Sequence, residues 1–275
     1  MFDEIGYWSE VKLDIVREYA KAYSTILSAR RRPSLYHIYI DAFAGGGIHI
    51  SKAKGDFVLG SPLNALLVQP PFKEYHLIDL SSQKIQALRQ AVAEFSDAEV
   101  HIHEGDCNRI LLEDVFLRVQ YKDYRRGLCL LDPYGLHLDW RVIETAGKMR
   151  TIEIFLNFPV MDMNRNVLWR NPEKVDKRQV QRMDAFWGNN SWRNIAYDTT
   201  RNLFGMEMKV DMDVIAESFR QRLRKVAGFE HVPDAIPMRN NQGAVVYYLF
   251  FASHKPVAEK IVKDIFAKYR DKGAK

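Results

Sequence analysis

The sequence has 275 residues, of which 47% are hydrophobic and 27% are charged, a balance that is typical of a folded globular protein and excludes a disordered or fibrous chain. Forty lysines and arginines against 35 acidic residues give a net charge of +5, which is compatible with an anionic partner without identifying one. The two cysteines form no CxxC pair and the histidines are scattered, so the spacing supports neither a disulfide framework nor a metal site.

An amphipathic helix is predicted near the amino terminus. Within residues 8–29, Val11, Ile15 and Tyr19 recur every four residues, the spacing of one face of a helix. A basic run and a proline then end the pattern. We therefore interpret residues 1–35 as an amino-terminal helical segment.

Strands alternate with helices from Tyr36 onward. The predicted strands begin with YHIYIDAF at Tyr36 and continue at 75–80, 99–104, 127–132 and 151–158, with helices near 61–69, 82–95, 108–119 and 139–148. Because crossover helices pack back on a sheet with one hand, this alternation predicts an α/β fold with a doubly wound, mainly parallel sheet and helices on both faces. Ligands in such folds bind at the carboxyl ends of the strands.

The alternation stops between residues 160 and 242. This segment is polar, basic and aromatic and has no strand period, which predicts a mostly helical insertion before the last strand. The sheet resumes at 243–254, and a final helix begins at Pro256. The predicted organisation is an α/β domain of residues 36–159 and 243–275, interrupted by a candidate substrate- or partner-binding subdomain.

The first strand ends in a glycine-rich turn, DAFAGGG. Asp41, Phe43, Gly45 and Gly47 give the pattern D-x-F-x-G-x-G. Glycines let the backbone approach a ligand closely, and the Asp41 carboxylate can accept hydrogen bonds from an ammonium or hydroxyl group. A tight turn without a ligand is the alternative. The patterns G-x-G-x-x-G and G-x-x-x-x-G-K-[ST] are both absent, which disfavours nicotinamide, flavin and NTP-hydrolysis chemistry.

Acidic residues also stand at the ends of the next three strands, at Asp79, Asp106 and Asp132. Because the carboxyl ends of parallel strands share one edge, we expect these carboxylates to line it together with Asp41. The arrangement suits a nucleoside-like ligand, with Asp79 on the ribose hydroxyls and Asp106 on an adenine amine. Each aspartate can instead be a solvated side chain or a helix N-cap.

The fourth strand ends in LDPYG. Asp132 and Pro133 present a carboxylate and backbone carbonyls that can accept hydrogen bonds from an exocyclic amine, and Tyr134 offers a ring for stacking. Such contacts are required of an enzyme that acts on an extruded or single-stranded base. The alternative is a Pro-Gly turn that ends the strand. We interpret Cys129, inside the apolar strand, and Cys107 as packing residues.

These motifs resemble the class I S-adenosylmethionine-dependent methyltransferase fold, especially its amino-methylating branch. More closely, the chain resembles the three-Cys-motif partner protein family through its amino-terminal W…K…L helix, DAFAGGG, GSPLNAL at 60–66 and LLDPYGL. The resemblance implies S-adenosylmethionine as the cofactor and a separate protein bearing three cysteines as a partner.

The resemblance also implies roles for individual residues. The implied cofactor-binding residues are Asp41, Phe43, Gly45, Gly47, Asp79 and Asp106, and those at the target amine are Asp132, Pro133 and Tyr134. The sequence departs from the amino-methylating pattern [DNS]-P-P-[YFW], because Tyr134 replaces the second proline and Gly135 the aromatic residue. An amine whose lone pair is aimed at the sulfonium methyl group needs little acid–base help, so Asp132 would act mainly by orienting it.

The insertion is rich in basic and aromatic residues. Residues 164–202 contain eight basic and four acidic residues and three of the five tryptophans. Phosphate attraction combined with base stacking is typical of a single-stranded nucleic-acid groove, for which the candidates are Arg170, Arg178, Arg182, Trp187 and Trp192. The alternative is a small helical subdomain whose tryptophans form its own core.

The long apolar run that includes residues 245–252 is far shorter than the roughly 18 residues of a membrane-spanning helix. The amino terminus is acidic and aromatic, unlike a signal peptide. We therefore expect a cytoplasmic protein without a membrane partner. Three functions remain open: methyl transfer from S-adenosylmethionine to an exocyclic amine in nucleic acid, a non-catalytic nucleic-acid-binding or scaffold partner of a three-cysteine-motif enzyme, and methylation of a small molecule or protein.

Overall fold

The computed structural model describes residues 3–198, 208–240 and 242–270. The strands are β1 (Asp3–Ile5), β2 (Tyr36–Asp41), β3 (Ile48–Ser51), β4 (Phe57–Leu59), β5 (Glu74–Asp79), β6 (Val100–Glu104), β7 (Arg125–Leu131), β8 (Ile152–Phe158), β9 (Tyr197–Asp198), β10 (Met208–Lys209), β11 (Ile236–Arg239) and β12 (Val245–Ala252). The α-helices are α1 (Tyr7–Ser28), α2 (Ser61–Leu66), α3 (Ser82–Val92), α4 (Cys107–Ile110), α5 (Trp140–Met149), α6 (Val160–Asn166), α7 (Lys177–Trp187), α8 (Trp192–Ala196), α9 (Met212–Lys225) and α10 (Pro256–Arg270).

Seven strands form the main sheet in the order β11-β12-β8-β7-β2-β5-β6. The pairs β8–β7, β7–β2, β2–β5 and β5–β6 are parallel, whereas β12 is antiparallel to both of its neighbours. The predicted α/β class with a mainly parallel sheet is thus confirmed. β5 and β6 lie on one side of β2, and β7 and the later strands lie on its other side. The strand order therefore reverses between β2 and β7, and the crevice at such a reversal is the place where these folds bind ligands.

Each face of the sheet packs into its own hydrophobic core. On β2, Ile38 and Ile40 belong to one core and Tyr39 to the other, as the alternation of side chains along a strand requires. Residues of α4, α5, α7 and α9 complete the first core, and residues of α1, α2, α3 and α10 complete the second. Helices therefore cover both faces, as the sequence predicts.

A second sheet, which the sequence analysis did not predict, follows the glycine turn. β3 and β4 form an antiparallel hairpin, and β1 pairs in parallel with β3. The backbone N–H of Gly60 donates to the carbonyl of Gly47 at 2.7 Å and closes the base of this hairpin just before α2. The strands have three or four residues, too few for an alternating pattern to be recognised. The hairpin brings the amino-terminal strand beside the turn.

The predicted insertion, residues 160–242, contains helices α6 to α9 but also the edge strand β11. β11 has four residues and includes Pro237, so it carries no recognisable strand pattern; a proline is tolerated in an edge strand. Residues 199–207 and 241, and the last five residues of the predicted α/β domain, lie outside the described residues. Within the described part of the chain, no helix is long and apolar enough to cross a membrane.

Candidate active site

The glycine turn lies at the carboxyl end of β2. Gly45 and Gly47 have φ values of +65° and +85°, a left-handed conformation that favours glycine. The N–H of Gly45 donates to Oδ2 of Asp79 at 2.9 Å and ties the turn to the end of β5. A Cβ atom at Gly45 would meet only a ring carbon of His49, at 3.9 Å. This is an ordinary contact distance, so Gly45 is buried but its Cα is not tightly packed against its neighbours.

The side chain of Asp41 lies inside the protein. Its Oδ1 accepts a hydrogen bond from the N–H of Phe43 at 3.2 Å, and no part of the residue is exposed. Burial raises the pKa of Asp41 to about 7, and hydrogen bonds from Ser61 and from the Phe43 backbone only partly oppose this rise. In this conformation the carboxyl group supports the turn from beneath, while the half-buried Phe43 ring packs against the core.

Asp79 is half-buried at the end of β5. Its Oδ1 accepts from the N–H of Ser81 at 2.9 Å, and its Oδ2 accepts from Gly45. Two carboxylate oxygens offer about four acceptor positions. Asp79 is thus held in one orientation and retains acceptor capacity for a ligand hydroxyl group.

Asp106 has the N-cap role that the sequence analysis kept as an alternative. It is exposed and precedes the short helix α4, and its Oδ1 accepts from the N–H of Arg109 at 3.0 Å. Its second oxygen points to no partner among the described residues. A contact with a ligand would therefore add to the capping bond.

The carboxylate of Asp132 forms an ion pair with Lys12 of α1, with Oδ2 of Asp132 accepting from Nζ. The side chain of Lys12 is 9% exposed and that of Asp132 is 24% exposed. Burial alone would lower the pKa of Lys12, but the neighbouring carboxylate more than offsets this effect and the pKa is raised. Lys12 Nζ also lies 5.3 Å from the centre of the Tyr247 ring. A buried ammonium group thus already contacts the strand-end carboxylate.

Two further residues of the LDPYG segment, Pro133 and Tyr134, contact side chains of neighbouring elements. Asn157 at the end of β8 donates from Nδ2 to the carbonyl of Pro133 at 3.2 Å, and the buried Oδ1 of Asn157 has no partner in the described residues. Tyr134 is 72% exposed, and Lys84 Nζ lies 4.9 Å from its ring centre. Lys84 in turn pairs with Asp3 at 2.6 Å. The Tyr134 ring is therefore accessible, but one face contacts a cation.

Gly135 and Leu136 connect LDPYG to the insertion. Oδ2 of Asp162 accepts from the N–H of Leu136 and from Arg182, each at 2.8 Å. A Cβ atom at Gly135 would lie 2.5 Å from the same oxygen, so the glycine permits the backbone to approach Asp162. Arg182, predicted as a phosphate contact, instead joins α7 to this turn through a half-buried ion pair.

The burial of Trp187 and Trp192 argues against the base-stacking role predicted for them. Trp187 and Trp192 are each 1% exposed, and both indole N–H groups are satisfied internally, by Ser191 at 3.1 Å and Asp184 at 2.7 Å. Neither ring has a free face for base stacking in this structure, because both complete the core under the sheet. The helical-subdomain alternative describes them better.

The two remaining basic candidates differ from Arg182. Arg170 and Arg178 are both exposed, and the Arg178 side chain projects from the first turn of α7. They are therefore available for a surface contact with an anion. Phosphate binding by Arg170 and Arg178 stays a prediction.

A cleft that was not predicted from the sequence includes Tyr247, a neighbour of the Lys12–Asp132 pair, in its walls. Its volume is about 440 Å³, and its walls include Tyr7, Trp8, Tyr247 and the polar residues Arg239 and Asn240. Tyr247 belongs both to this cleft and to the surroundings of the ion pair. The walls come from residues more than 200 positions apart in the sequence, so spacing could not reveal them.

One signal for Lys12 was present in the sequence. It stands between Val11 and Leu13 in a helix whose apolar residues are buried, and a lysine on such a face needs a charged partner. Asn157, by contrast, is one of two polar residues in the mainly apolar strand β8 and gave no comparable signal.

Comparisons with known proteins bear on the fold. No protein-family model matches the chain, and no curated protein matches it. Protein LPL1258 from Legionella pneumophila is similar over 95% of this chain and 93% of its own, with 13% identity and a TM-score of 0.53. The putative methyltransferase YhhF from Escherichia coli matches over 88% of both chains with 13% identity and a TM-score of 0.39. The CMeT domain of the citrinin polyketide synthase matches 81% of this chain and 47% of its own, with 11% identity and a TM-score of 0.41.

The similarity to LPL1258 shows a common fold, and at this identity it shows the fold alone. The sheet has seven strands, of which β12 alone runs antiparallel to its neighbours. The activity of the chain must be argued from the site, because one fold supports many functions.

Proposed function

We propose that this protein binds S-adenosylmethionine and transfers its methyl group to an exocyclic amine of nucleic acid. The observation that carries the proposal is the contact between Asp132 and the Lys12 ammonium group. Here the carboxylate at the end of β7 already accepts an N–H donor, which supports a role for it in binding an amine. A target amine requires the same kind of contact.

The residues at the glycine turn fit the cofactor. Gly45 is not tightly packed against its neighbours, and Asp79 is fixed yet half-buried, which suits a ribose that approaches the backbone closely. Asp106 would accept from the adenine amine, and Asp41 would hold the turn in shape beneath the methionine end. When bound, S-adenosylmethionine would supply an electrophilic methyl group on its sulfonium.

The acceptor side of the site has matching groups. Lys12 occupies Oδ2 of Asp132 and leaves Oδ1 for a target N–H group, and the carbonyl of Pro133, which Asn157 holds in place, would be a second acceptor. Orientation of the amine by these acceptors would aim its lone pair at the methyl group, and positioning of this kind supplies much of the rate of such a transfer.

The adjacent cleft favours a base as the acceptor. Tyr7, Trp8 and Tyr247 provide aromatic surface, and Arg239 and Asn240 provide polar groups. A flipped or single-stranded base is recognised by this combination of stacking and hydrogen bonding. Arg170 and Arg178 would add phosphate attraction at the surface of the insertion.

A second candidate function rests on the same ion pair. Because Lys12 already satisfies Asp132, and because DPYG departs from the two-proline pattern, the site also suits a non-catalytic partner of a three-cysteine-motif protein that binds cofactor or nucleic acid without transferring methyl groups. The two functions share a cofactor site and differ in methyl transfer.

The first test is calorimetric titration of the purified chain with S-adenosylmethionine and S-adenosylhomocysteine. Asp79→Ala is expected to weaken binding at least about tenfold, the loss of one good polar contact, whereas Asp97→Ala, at an exposed aspartate away from the edge, should bind as the wild type does. Circular dichroism would verify that both variants fold. No binding by the folded wild type would refute the cofactor assignment.

The second test uses a radiolabelled methyl donor with pools of DNA and RNA. Label incorporated by the wild type and lost in Asp132→Asn would support methyl transfer to nucleic acid. Cofactor binding without label in either pool would instead favour the partner function, and the search would move to three-cysteine proteins, small molecules and proteins as acceptors.

A further inference from the structure

Three histidines and two glutamates meet at the far end of β5 and β6, away from the glycine turn. The register of these strands pairs His76 with His101, and Glu74 precedes His76 by two residues on the same face. One ligand atom from each of Glu74, His76 and His101 lies within 4.8 Å of the others. The cluster also includes His103, and Glu99 stands just before β6.

The distances within the cluster are those of a metal-ligand set. Oε1 of Glu74 lies 2.7 Å from Nε2 of His76 and 3.7 Å from Nε2 of His101. In a tetrahedral zinc site with bonds of about 2.0–2.1 Å, ligand atoms are separated by roughly 3.3 Å. Small side-chain movements would therefore place all three around one ion. Oε1 of Glu99 lies 3.2 Å from Nε2 of His101 and is the nearest additional carboxylate for a fourth position.

The surroundings hold the candidate ligands in the required orientation. Nδ1 of His76 lies 3.0 Å from Nε2 of His103, so a proton on Nδ1 can be donated to His103 while Nε2 keeps its lone pair for a metal. Oε2 of Glu74 accepts from Arg125 at 3.0 Å, which leaves Oε1 for the ion. Metal-binding histidines and carboxylates are usually supported by such hydrogen bonds.

Burial distinguishes this cluster from a group of solvated side chains. Glu74 and His76 are 2% and 0% exposed, whereas the side chain of His101 is 36% exposed. Two ligands are thus built into the sheet and the third stands at its surface, where an ion can enter. The separate residues are unremarkable in the sequence, because the register of two strands brings them together.

We propose that Glu74, His76 and His101 bind a divalent transition-metal ion of the zinc class, with Glu99 in the fourth position. Imidazole and carboxylate together suit Zn²⁺, whereas Mg²⁺ prefers an octahedral shell of oxygen ligands. The ion would join the edge strand β6 to β5. Its role is structural, because the cluster lies at the opposite ends of these strands from Asp79.

The test is calorimetric titration of the full, untagged chain with Zn²⁺ after treatment with a chelator and dialysis. We expect one equivalent of Zn²⁺ to bind and Mg²⁺ not to compete. His101→Ala, at the most exposed ligand, should fold normally and lose at least about 100-fold in affinity, while His103→Gln, which changes only the supporting hydrogen bond, should lose about 10- to 100-fold. His137→Ala, at an exposed histidine elsewhere, is the matched control and should bind as the wild type does.

A melting experiment provides an independent readout. A ligand that binds only the folded state raises Tm, by about 5 °C or more for a protein of this size at a 100-fold excess over Kd. The increase should disappear in His101→Ala and persist in His137→Ala. Wild-type protein that binds no Zn²⁺, or a His101→Ala variant that binds it unchanged, would overturn the proposal.

Discussion

The carboxyl edge of the sheet and the helical insertion both contain residues that the sequence marks as functional. These residues differ in their exposure and in the hydrogen bonds that they leave free. At the edge, Asp79 and Asp132 are partly exposed and keep acceptor capacity. In the insertion, Trp187 and Trp192 are buried with their N–H groups satisfied. Position at strand ends thus marked two partly exposed carboxylates, although Asp41 at the end of β2 is buried, whereas composition did not separate a binding surface from a core.

The buried tryptophans of the insertion allow the sharpest test of this comparison. Trp192→Ala should lower the free energy of unfolding by about 3–5 kcal/mol, because it leaves a large cavity and removes the partner of Asp184. Trp169→Ala, at a tryptophan that is 42% exposed, should cost less than about 1 kcal/mol. Urea denaturation measures both values. Equal costs for the two variants would contradict the assignment of Trp192 to the core.

At the carboxyl edge, Asp41 predicts a pH dependence of stability. Its pKa is raised from 3.8 to about 7 in the folded protein, so the folded state binds more protons than the unfolded state between these values. The contribution of Asp41 to the free energy of unfolding is therefore largest at low pH and decreases as pH rises through 7. Asp41→Asn removes this dependence.

Relative to the wild type, Asp41→Asn should gain roughly 4 kcal/mol in the free energy of unfolding between about pH 4 and pH 8, at 1.36 kcal/mol per pKa unit. Denaturation curves of both proteins across this range measure the difference, in which the other titrating groups cancel. If the difference in the free energy of unfolding between the two proteins stayed constant across this pH range, Asp41 would not be protonated in the folded state.

The alternation of strands and helices, the helices on both faces of the sheet and the ends of β2, β5 and β7 could be predicted because each depends on local patterns of apolar residues and glycine. Lys12, Tyr247 and the histidine cluster could not, because contacts between distant segments create them. The pair of Lys12 with Asp132 spans 120 positions, and His76 meets His101 only through strand register. Such contacts depend on the tertiary fold, which a single sequence does not specify by spacing.

The pair of Lys12 and Asp132 tests whether the edge also stabilises the fold. Lys12→Met should cost roughly 3 kcal/mol because it leaves a half-buried carboxylate unpaired, and Asp132→Asn should cost a similar amount because it leaves a buried ammonium group. The double variant should cost less than the sum of the two. A double-mutant cycle in urea measures this coupling, and simple additivity would mean that the ion pair contributes nothing.

The smallest expected effect concerns the surface of the insertion. Arg178 is exposed, whereas Arg182 holds Asp162 and the turn that follows β7. If this surface attracts phosphate, Arg178→Ala should weaken binding of single-stranded nucleic acid a few-fold and reduce the slope of log Kd against log salt by about 1. Stability should remain within about 0.5 kcal/mol of the wild type.

Arg182→Ala should show the reverse pattern, with a loss of stability of about 1–3 kcal/mol, since the Asp162 carboxylate loses its ion pair, and no specific change in the salt slope. Fluorescence anisotropy over a series of salt concentrations, with denaturation of the same samples, separates the two arginines. An unchanged slope in Arg178→Ala would remove Arg178 from the proposed nucleic-acid surface. A reduced slope would extend the binding surface onto the insertion and leave its core tryptophans as the support for that surface.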